Sequence, residues 1–578
     1  MVVGLIGDSI SSKVDDLRKG CHPIVDYNHT VILGFNEKVV YIVKELALAN
    51  ESRAGGGLFG GRMGSGKMVA VLAEGDKEEM EENIREELDV EKDLRGTAVM
   101  VRTGNPCSPQ MQAHVNISAA RTVIVLIADL ESQAKPYLRM VMAACGSTEA
   151  GQSTKPLVVE CASRIDAELL HATAQSSPNR MPLCVMNRQT LSGHVLAMLA
   201  TRPRGVIDVL SELVSFAEHE VYSKEWPQLV GKPWRIVSRS FKDAIPIGVI
   251  STHGEVTINP PLNRPFAAGE QVAVIALDDD TYSPESDPIM QGVATPPDLH
   301  VSKGSKPQTV IIIGWRPEVT KALLESLNAQ LNQGSTVSLF TATAVAKVED
   351  SLSHCVSKLQ RINVEFICGD PASLVDLERL KVIDYDIIVT MPGMTLIGNP
   401  VAADDRNMAV LLYIRQLLNK SGRPAPHMVT ELLYPHSKEI TVPFDSNVQI
   451  FLSSETSAMM LAQCSENISS YKVWEIILER QLLNLHRAER YCMEGCLHSF
   501  YDLAETLRQM GGILLGYVHT EDYSHPHINP TDKTTARDWS DSLLIVIEPE
   551  ETIESGIHGV KISRAVGSRR SNEAGKAW

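Results

Sequence analysis

The chain repeats its own order of signals about 270 to 280 residues apart, and a repeat of that length restricts the fold to one large unit built twice. Val31-Ile-Leu-Gly-Phe35 returns as Ile311-Ile-Ile-Gly-Trp315, and Thr103-Gly-Asn-Pro-Cys-Ser108 returns as Cys368-Gly-Asp-Pro-Ala-Ser373. Thr122-Val-Ile-Val-Leu126 returns as Asp386-Ile-Ile-Val-Thr390. Further on, Ile247-Gly-Val-Ile250 and Ile258-Asn-Pro260 return as Leu515-Gly-Tyr-Val518 and Ile528-Asn-Pro530. Chance supplies one such echo. A series in the same order at nearly constant offset indicates tandem duplication.

Each copy opens with strands and helices in alternation. Apolar strand runs at 30–34, 68–73, 97–101, 122–128, 157–161 and 183–186 are separated by stretches of mostly helical pattern. That alternation predicts an α/β, Rossmann-like lobe with a doubly wound parallel sheet covered on both faces. After helical stretches at 191–200 and 205–218, short strands with turns follow at 245–250, 255–258 and 271–277, a small β-rich lobe. The resulting limits are 28–220 and 221–284 for the first pair of lobes and 307–490 and 491–552 for the second. A linker rich in Pro, Ser and Asp fills 285–306, and a small, polar tail, expected to be disordered, fills 553–578. Four compact units agree with 578 residues at roughly 150 per domain.

Composition narrows the functions. Hydrophobic residues make up 44% and charged residues 22%, and no apolar run reaches the ~18 residues of a membrane helix. A net charge of −17 repels phosphate backbones and anionic surfaces, so nucleic acid is disfavoured and cations or basic partners are favoured. Ten scattered cysteines fit reduced thiols rather than a disulfide scaffold. The N-terminus has an apolar start followed by Asp8, Lys13, Asp15, Asp16, Arg18 and Lys19, with no signal-peptide pattern. A cut just after a membrane helix leaves such letters, and so does a short disordered end.

Several motifs lack what their chemistry requires. A dinucleotide turn needs G-x-G-x-x-G, but Gly34-Phe-Asn-Glu-Lys-Val39 and Gly314-Trp-Arg-Pro-Glu-Val319 put side chains where the pyrophosphate would approach. Glu74 ends the second strand where a ribose-binding acid would sit, and reads as a solvated strand end without those glycines. Gly61-Arg-Met-Gly-Ser-Gly-Lys67 matches a P-loop, yet Met68 replaces the Mg²⁺-binding hydroxyl and the segment precedes a strand rather than a helix. Cys492, Cys496 and His498 lack an evident fourth ligand for zinc, and His525-Pro-His527 beside Asp522 reads as a polar turn. The run 74–92, with ten acids against three bases, reads as a solvated helix face. No G-x-S-x-G or H-E-x-x-H anchors a hydrolase.

Carboxylates remain. Asp278, Asp279 and Asp280 end the last strand of the first β-lobe, Glu218 and Glu220 flank His219 at a lobe boundary, and Asp404-Asp405 begins a helix. Hard cations such as Ca²⁺ take six to eight oxygens, so these are the candidate metal ligands, with solvated loop ends and helix N-terminal charges as the plainer alternative.

A family resemblance rests on further residues. Asp8-x-Ile-Ser-x-Lys-Val-Asp-x-Leu-Arg-Lys19, Asn28-His-Thr-x-Ile-Leu-Gly34, Leu46-Ala-x-Ala-Asn50, Leu72-Ala-Glu-x-Asp-Lys-Glu-Glu-Met-Glu81, Asp243-Ala-Ile-Pro246 and Asp278-Asp-Asp-Thr-Tyr282 resemble the cytosolic part of the plant CASTOR and POLLUX ion channels. The likeness is dense to about Pro284 and thinner beyond, where Leu412, Ile414-Arg415, Glu431-Leu-Leu433, Ile513-Leu-Leu-Gly-Tyr517 and Ile528-Asn-Pro530 keep the pattern. It implies tandem RCK domains, with 1–27 connecting to the inner helix of a membrane pore and four chains forming a gating ring. It also implies a cation channel of the nuclear envelope that serves calcium signalling in root symbiosis and responds to Ca²⁺, without enzymatic chemistry. The extended Gly55–Lys67 loop and the altered second half depart from the family pattern. A nucleotide-dependent regulator or enzyme using the Rossmann-like lobes, and a ligand-free assembly platform, are the other readings.

Overall fold

The computed structural model describes residues 22–55, 67–127, 135–146, 155–177, 181–289, 292, 306–394, 399–442, 448–492 and 496–548. Residues 1–21 of the expected pore connection, nearly all of the Gly-rich loop with its P-loop-like motif, most of the 285–306 linker and the tail lie outside the described residues.

The first N-lobe runs β1 (Thr30–Leu33), α1 (Lys38–Gly55), β2 (Met68–Ala73), α2 (Lys77–Glu87), β3 (Ala98–Thr103), α3 (Pro109–His114), β4 (Thr122–Val125), α4 (Pro136–Gly146), β5 (Leu157–Cys161), α5 (Arg164–Ser176) and β6 (Leu183–Asn187). Its strands form one parallel sheet in the order β3-β2-β1-β4-β5-β6. The sequence dictates this order physically. β1, β2, β4 and β5 are buried at every position, as interior strands with helices on both faces must be, whereas β3 mixes exposed and buried positions and takes an edge. Side-chain caps start the helices: Asp76 accepts from Glu78 N and Glu79 N, and Ser163 from Asp166 N.

Helices α6 (Arg188–Thr201) and α7 (Val206–Val214) lead into the first C-lobe, which comprises β7 (Glu220–Glu225), α8 (Trp234–Val237), β8 (Ala244–Ile250), β9 (Val256–Ile258) and β10 (Gln271–Ala276). These strands make an antiparallel sheet in the order β7-β10-β8-β9. The helical pattern over 205–218 ends at Val214 instead, because the Ser215 hydroxyl and the Phe216 amide both donate to the buried Glu45 carboxylate.

The second copy repeats this order as β11 (Thr309–Ile313), α9 (Pro317–Gln330), β12 (Ser335–Thr341), α10 (Val345–Val356), β13 (Ile362–Cys368), α11 (Leu374–Arg379), β14 (Ile387–Thr390), α12 (Pro400–Ser421), β15 (His427–Leu432), α13 (Pro435–Thr441) and β16 (Val448–Leu452). Then come α14 (Ser453–Glu466), α15 (Ile468–Glu479), β17 (Leu483–Arg487), α16 (Phe500–Gln509), β18 (Ile513–His519), β19 (Asp522–Ile528) and β20 (Ser542–Ile547). Both sheets recur, as β13-β12-β11-β14-β15-β16 and β17-β20-β18-β19. Gly34 and Gly314, at the echoed first turns, have φ of +102° and +112°, and a Cβ there would stand 3.0 Å from Leu126 O and 2.1 Å from Met391 O. Close backbone approach between neighbouring strands accounts for the repeated glycine.

The copies pack about a pseudo-twofold relation. The helix after the last strand of each N-lobe lies against the helix after the first strand of the other: α6 on α9, and α14 on α1. A Cβ at Gly193 of α6 would be 2.6 Å from Ala322 Cβ, so the helices meet at backbone distance. One apolar cluster runs through both copies, from Val195 and Leu199 to Leu323, Leu327 and Leu461. The C-lobes exchange reciprocal hydrogen bonds: Asn259 Nδ2 donates to Gly511 O at 2.5 Å, and Asn529 Nδ2 donates to Asp243 O at 2.9 Å.

Candidate functional site

The strand-end crevice, where a Rossmann-type lobe receives a nucleotide, is filled by the chain itself. In the first lobe Asn36 Nδ2 donates to Ile127 O at 2.8 Å and its Oδ1 accepts from Lys38 N at 3.0 Å. Behind it Lys38 Nζ lies 2.5 Å from Glu160 Oε1, with both side chains 1% exposed or less, and Ile127 N donates to Glu160 Oε2. Burial lowers the Lys38 pKa, and the Glu160 charge acts to raise it. In the second lobe Arg316 pairs with Glu431 in equal seclusion. Strand register makes the two acids equivalent: β5 pairs Leu157 with Val123, and β15 pairs Met428 with Ile388, which places Glu160 and Glu431 at the same point of the repeat. At the start of α6, Arg188 donates to Ser454 Oγ of α14 at 2.8 Å and lies 3.8 Å from Glu37, extending this charged layer across the seam between copies. Glu74 is exposed at the end of β2.

Three of the expected carboxylates meet a second feature of the seam. A cleft of about 380 Å³ between the first C-lobe and α14 is lined by Glu220, Tyr222, Asp278, Asp279 and, from the second copy, Gln463 and Glu466. Glu220 enters it from the first position of β7, buried, and β10 delivers the aspartates because Ala276 pairs with Glu220. The aspartate turn is closed by Asp278 Oδ1, which accepts from Asp279 N at 2.6 Å, and by Thr281 Oγ1, which accepts from Asp278 N at 3.1 Å. One oxygen from each of Asp278, Asp279 and Asp280 lies within 4.8 Å of the others, although Asp280 is exposed and outside the lining. Lys224 Nζ binds Asp279 O and stands 3.5 Å from its carboxylate. Burial, then Glu220, pushes the Tyr222 hydroxyl pKa far upward. Glu466 is held by both terminal nitrogens of Arg121, from the other copy. The facing carboxylates are hard oxygen donors, the type Ca²⁺ takes.

The remaining candidates lie elsewhere. Glu218, two residues before Glu220, belongs to a separate cluster with Glu212 and His219. Burial and the charge of Glu218 raise the Glu212 carboxyl to about 7. Asp404 is fully buried inside α12, which begins at Pro400 rather than at the aspartates, and its two oxygens accept from Leu433 N at 2.9 Å and Tyr434 N at 2.8 Å. Those bonds fix the chain leaving β15, while Asp405 is exposed on the same helix. His525 and His527 lie on strand β19 rather than in a turn. Sequence reasoning missed Lys38, Glu160, Arg316, Glu431 and Glu466. A usable signal was present for two of them, an acid near the end of a strand at matching places in both copies.

A family described as "Castor and Pollux, part of voltage-gated ion channel" matches residues 193–291. The ion channel CASTOR of Lotus japonicus is 30% identical over 590 residues, covering 95% of this chain and 66% of that protein. The probable ion channel POLLUX of Arabidopsis thaliana is 31% identical over 582 residues, covering 94% of this chain and 67% of that protein. The chain thus spans about two thirds of the length of these relatives. Among solved structures, the human SLO3 gating ring superposes with a TM-score of 0.57 at 11% identity, over 90% of this chain and 99% of that one. The fold is that of tandem RCK domains. No helix among the described residues is long and apolar enough to cross a membrane.

Proposed function

Because the chain belongs to the CASTOR/POLLUX family of ion channels, we propose that it is the regulatory gating-ring region of a cation channel and senses Ca²⁺ at the seam between its two RCK domains. The observation that carries this reading is the cleft in which Glu220, Asp278 and Asp279 of the first copy face α14 of the second. A cation held there would be sensitive to the relative position of the copies, which is the coordinate a gating ring must move. The mechanism is linkage: Ca²⁺ binds better in one arrangement of the copies than in another, and the difference, typically ~1–3 kcal/mol, is passed to the pore through residues 8–19. Four chains would form the ring, with the pore in the nuclear envelope and its currents serving calcium signalling in root symbiosis. No covalent step is involved, and the self-filled strand-end crevices support a ring that works without a nucleotide.

The test is calorimetric titration of the chain with Ca²⁺, with Mg²⁺ as control and light scattering to follow assembly. Saturable Ca²⁺ binding that disappears when Asp278, Asp279 and Asp280 are all changed to Asn is expected. An unchanged titration of that variant removes these aspartates from the ligand set.

A further inference from the structure

The stretch between α7 and β7 brings Glu212, Glu218 and His219 together, one ligand atom from each lying within 4.8 Å of the others. Glu212 comes from the last turn of α7, and the other two from the bend that leads into β7. Glu212 Oε1 and His219 Nδ1 are both shut off from solvent, and neither has a hydrogen-bond partner. Buried polar atoms are nearly always paired, so two orphans in one cluster mark a missing partner. Across the seam α7 packs on β19 of the second copy, where the exposed His525 Nδ1 is bonded to Asp522 Oδ2 at 2.8 Å and stays outside the cluster.

We propose that Glu212, Glu218 and His219 bind a divalent transition metal of the zinc class, with water completing the shell. The donor set selects the metal. Ca²⁺ takes an all-oxygen shell of six to eight ligands, whereas zinc takes a small shell that mixes imidazole nitrogen with carboxylate oxygen. The duplication makes the site single. Strand register equates Val221 with Leu483, since their partners Ile275 and Ile547 pair with Ile245 and Ile513, and Arg480 and Gln481 therefore stand where the first copy has Glu218 and His219. A guanidinium at one of those points excludes a second metal there. Bound metal would tie the last turn of α7 to the chain entering β7, beside the seam with β19. This assignment does not depend on Ca²⁺ binding in the neighbouring cleft.

The experiment titrates the full chain with Zn²⁺ and, separately, with Co²⁺, whose visible absorption reports a small nitrogen- and oxygen-containing shell. One equivalent per chain is expected, with affinity lowered ~10-fold or more in Glu212→Gln and in His219→Gln. The exposed Glu218→Gln, which should fold as the wild type does, must weaken binding as well. The Asp278→Asn/Asp279→Asn variant should bind Zn²⁺ normally. Failure to bind one equivalent overturns the proposal. So does binding that survives all three single variants, or binding that only His525→Gln removes, since the metal would then sit on surface histidines.

Discussion

The ion pairs behind the first turns make the sharpest residue-level statement. Arg316 and Glu431 are 3% and 0% exposed, so removing one partner leaves a charge with neither water nor counter-ion. Arg316→Met should cost about 3–5 kcal/mol in denaturant unfolding, and Arg316→Met with Glu431→Leu should recover most of that loss. A double variant as unstable as the single would show that the pair is not coupled. Nothing local in the sequence announces this pair, because its members are 115 residues apart and meet only once β11 and β15 flank β14. Glu160 and Glu431 nonetheless left a trace, each an acid near the end of a fully or largely buried strand. The repeat brings the two to one position, and that coincidence separates a structural acid from a solvated one. Asp404 shows the reverse: a carboxylate next to another at a helix start reads as a ligand, while the fold spends both its oxygens on backbone amides.

At the scale of elements, the α6–α9 contact ties stability to pH. His194 of α6 faces Ser326 Oγ of α9 at 2.8 Å, and burial lowers its pKa from 6.5 to about 4. The unfolded chain therefore binds a proton between those values that the folded chain refuses, and stability falls as pH drops from 6.5 towards 4, at ~1.4 kcal/mol per unit. Replacing His194 with Gln should flatten denaturation midpoints over that window; an undiminished slope would assign the acid sensitivity to other groups. The elements themselves were largely legible. Apolar runs marked every N-lobe strand of the first copy, most plainly the four interior ones, which have no polar face to confuse the pattern. Element ends were less so, as with α7, which stops at Val214 because Glu45, 170 residues away, captures the next hydroxyl and amide.

For the whole molecule, the reciprocal asparagines predict an asymmetric response to symmetric changes. Asn259 and Asn529 both have positive φ, 45° and 46°, so substitution by Gly keeps the turn and removes only the side chain. Asn259→Gly should cost about 1 kcal/mol, the net value of one hydrogen bond. Asn529→Gly should cost more, because Asn529 Oδ1 also accepts from the buried Lys533 Nζ at 2.6 Å. Equal losses in the two variants would refute that ranking. The same near-symmetry bears on how a ring would count its ligands. An assembly of k chains is a circle of 2k RCK units, yet Glu220 is matched in the other copy by Leu482, one position before the Leu483 that corresponds to Val221. Among the described residues the buried glutamate of the seam cleft thus stands once per chain. Cation occupancy there would saturate at k, and the Hill coefficient from that cleft would be bounded by the number of polypeptides rather than by the number of domains.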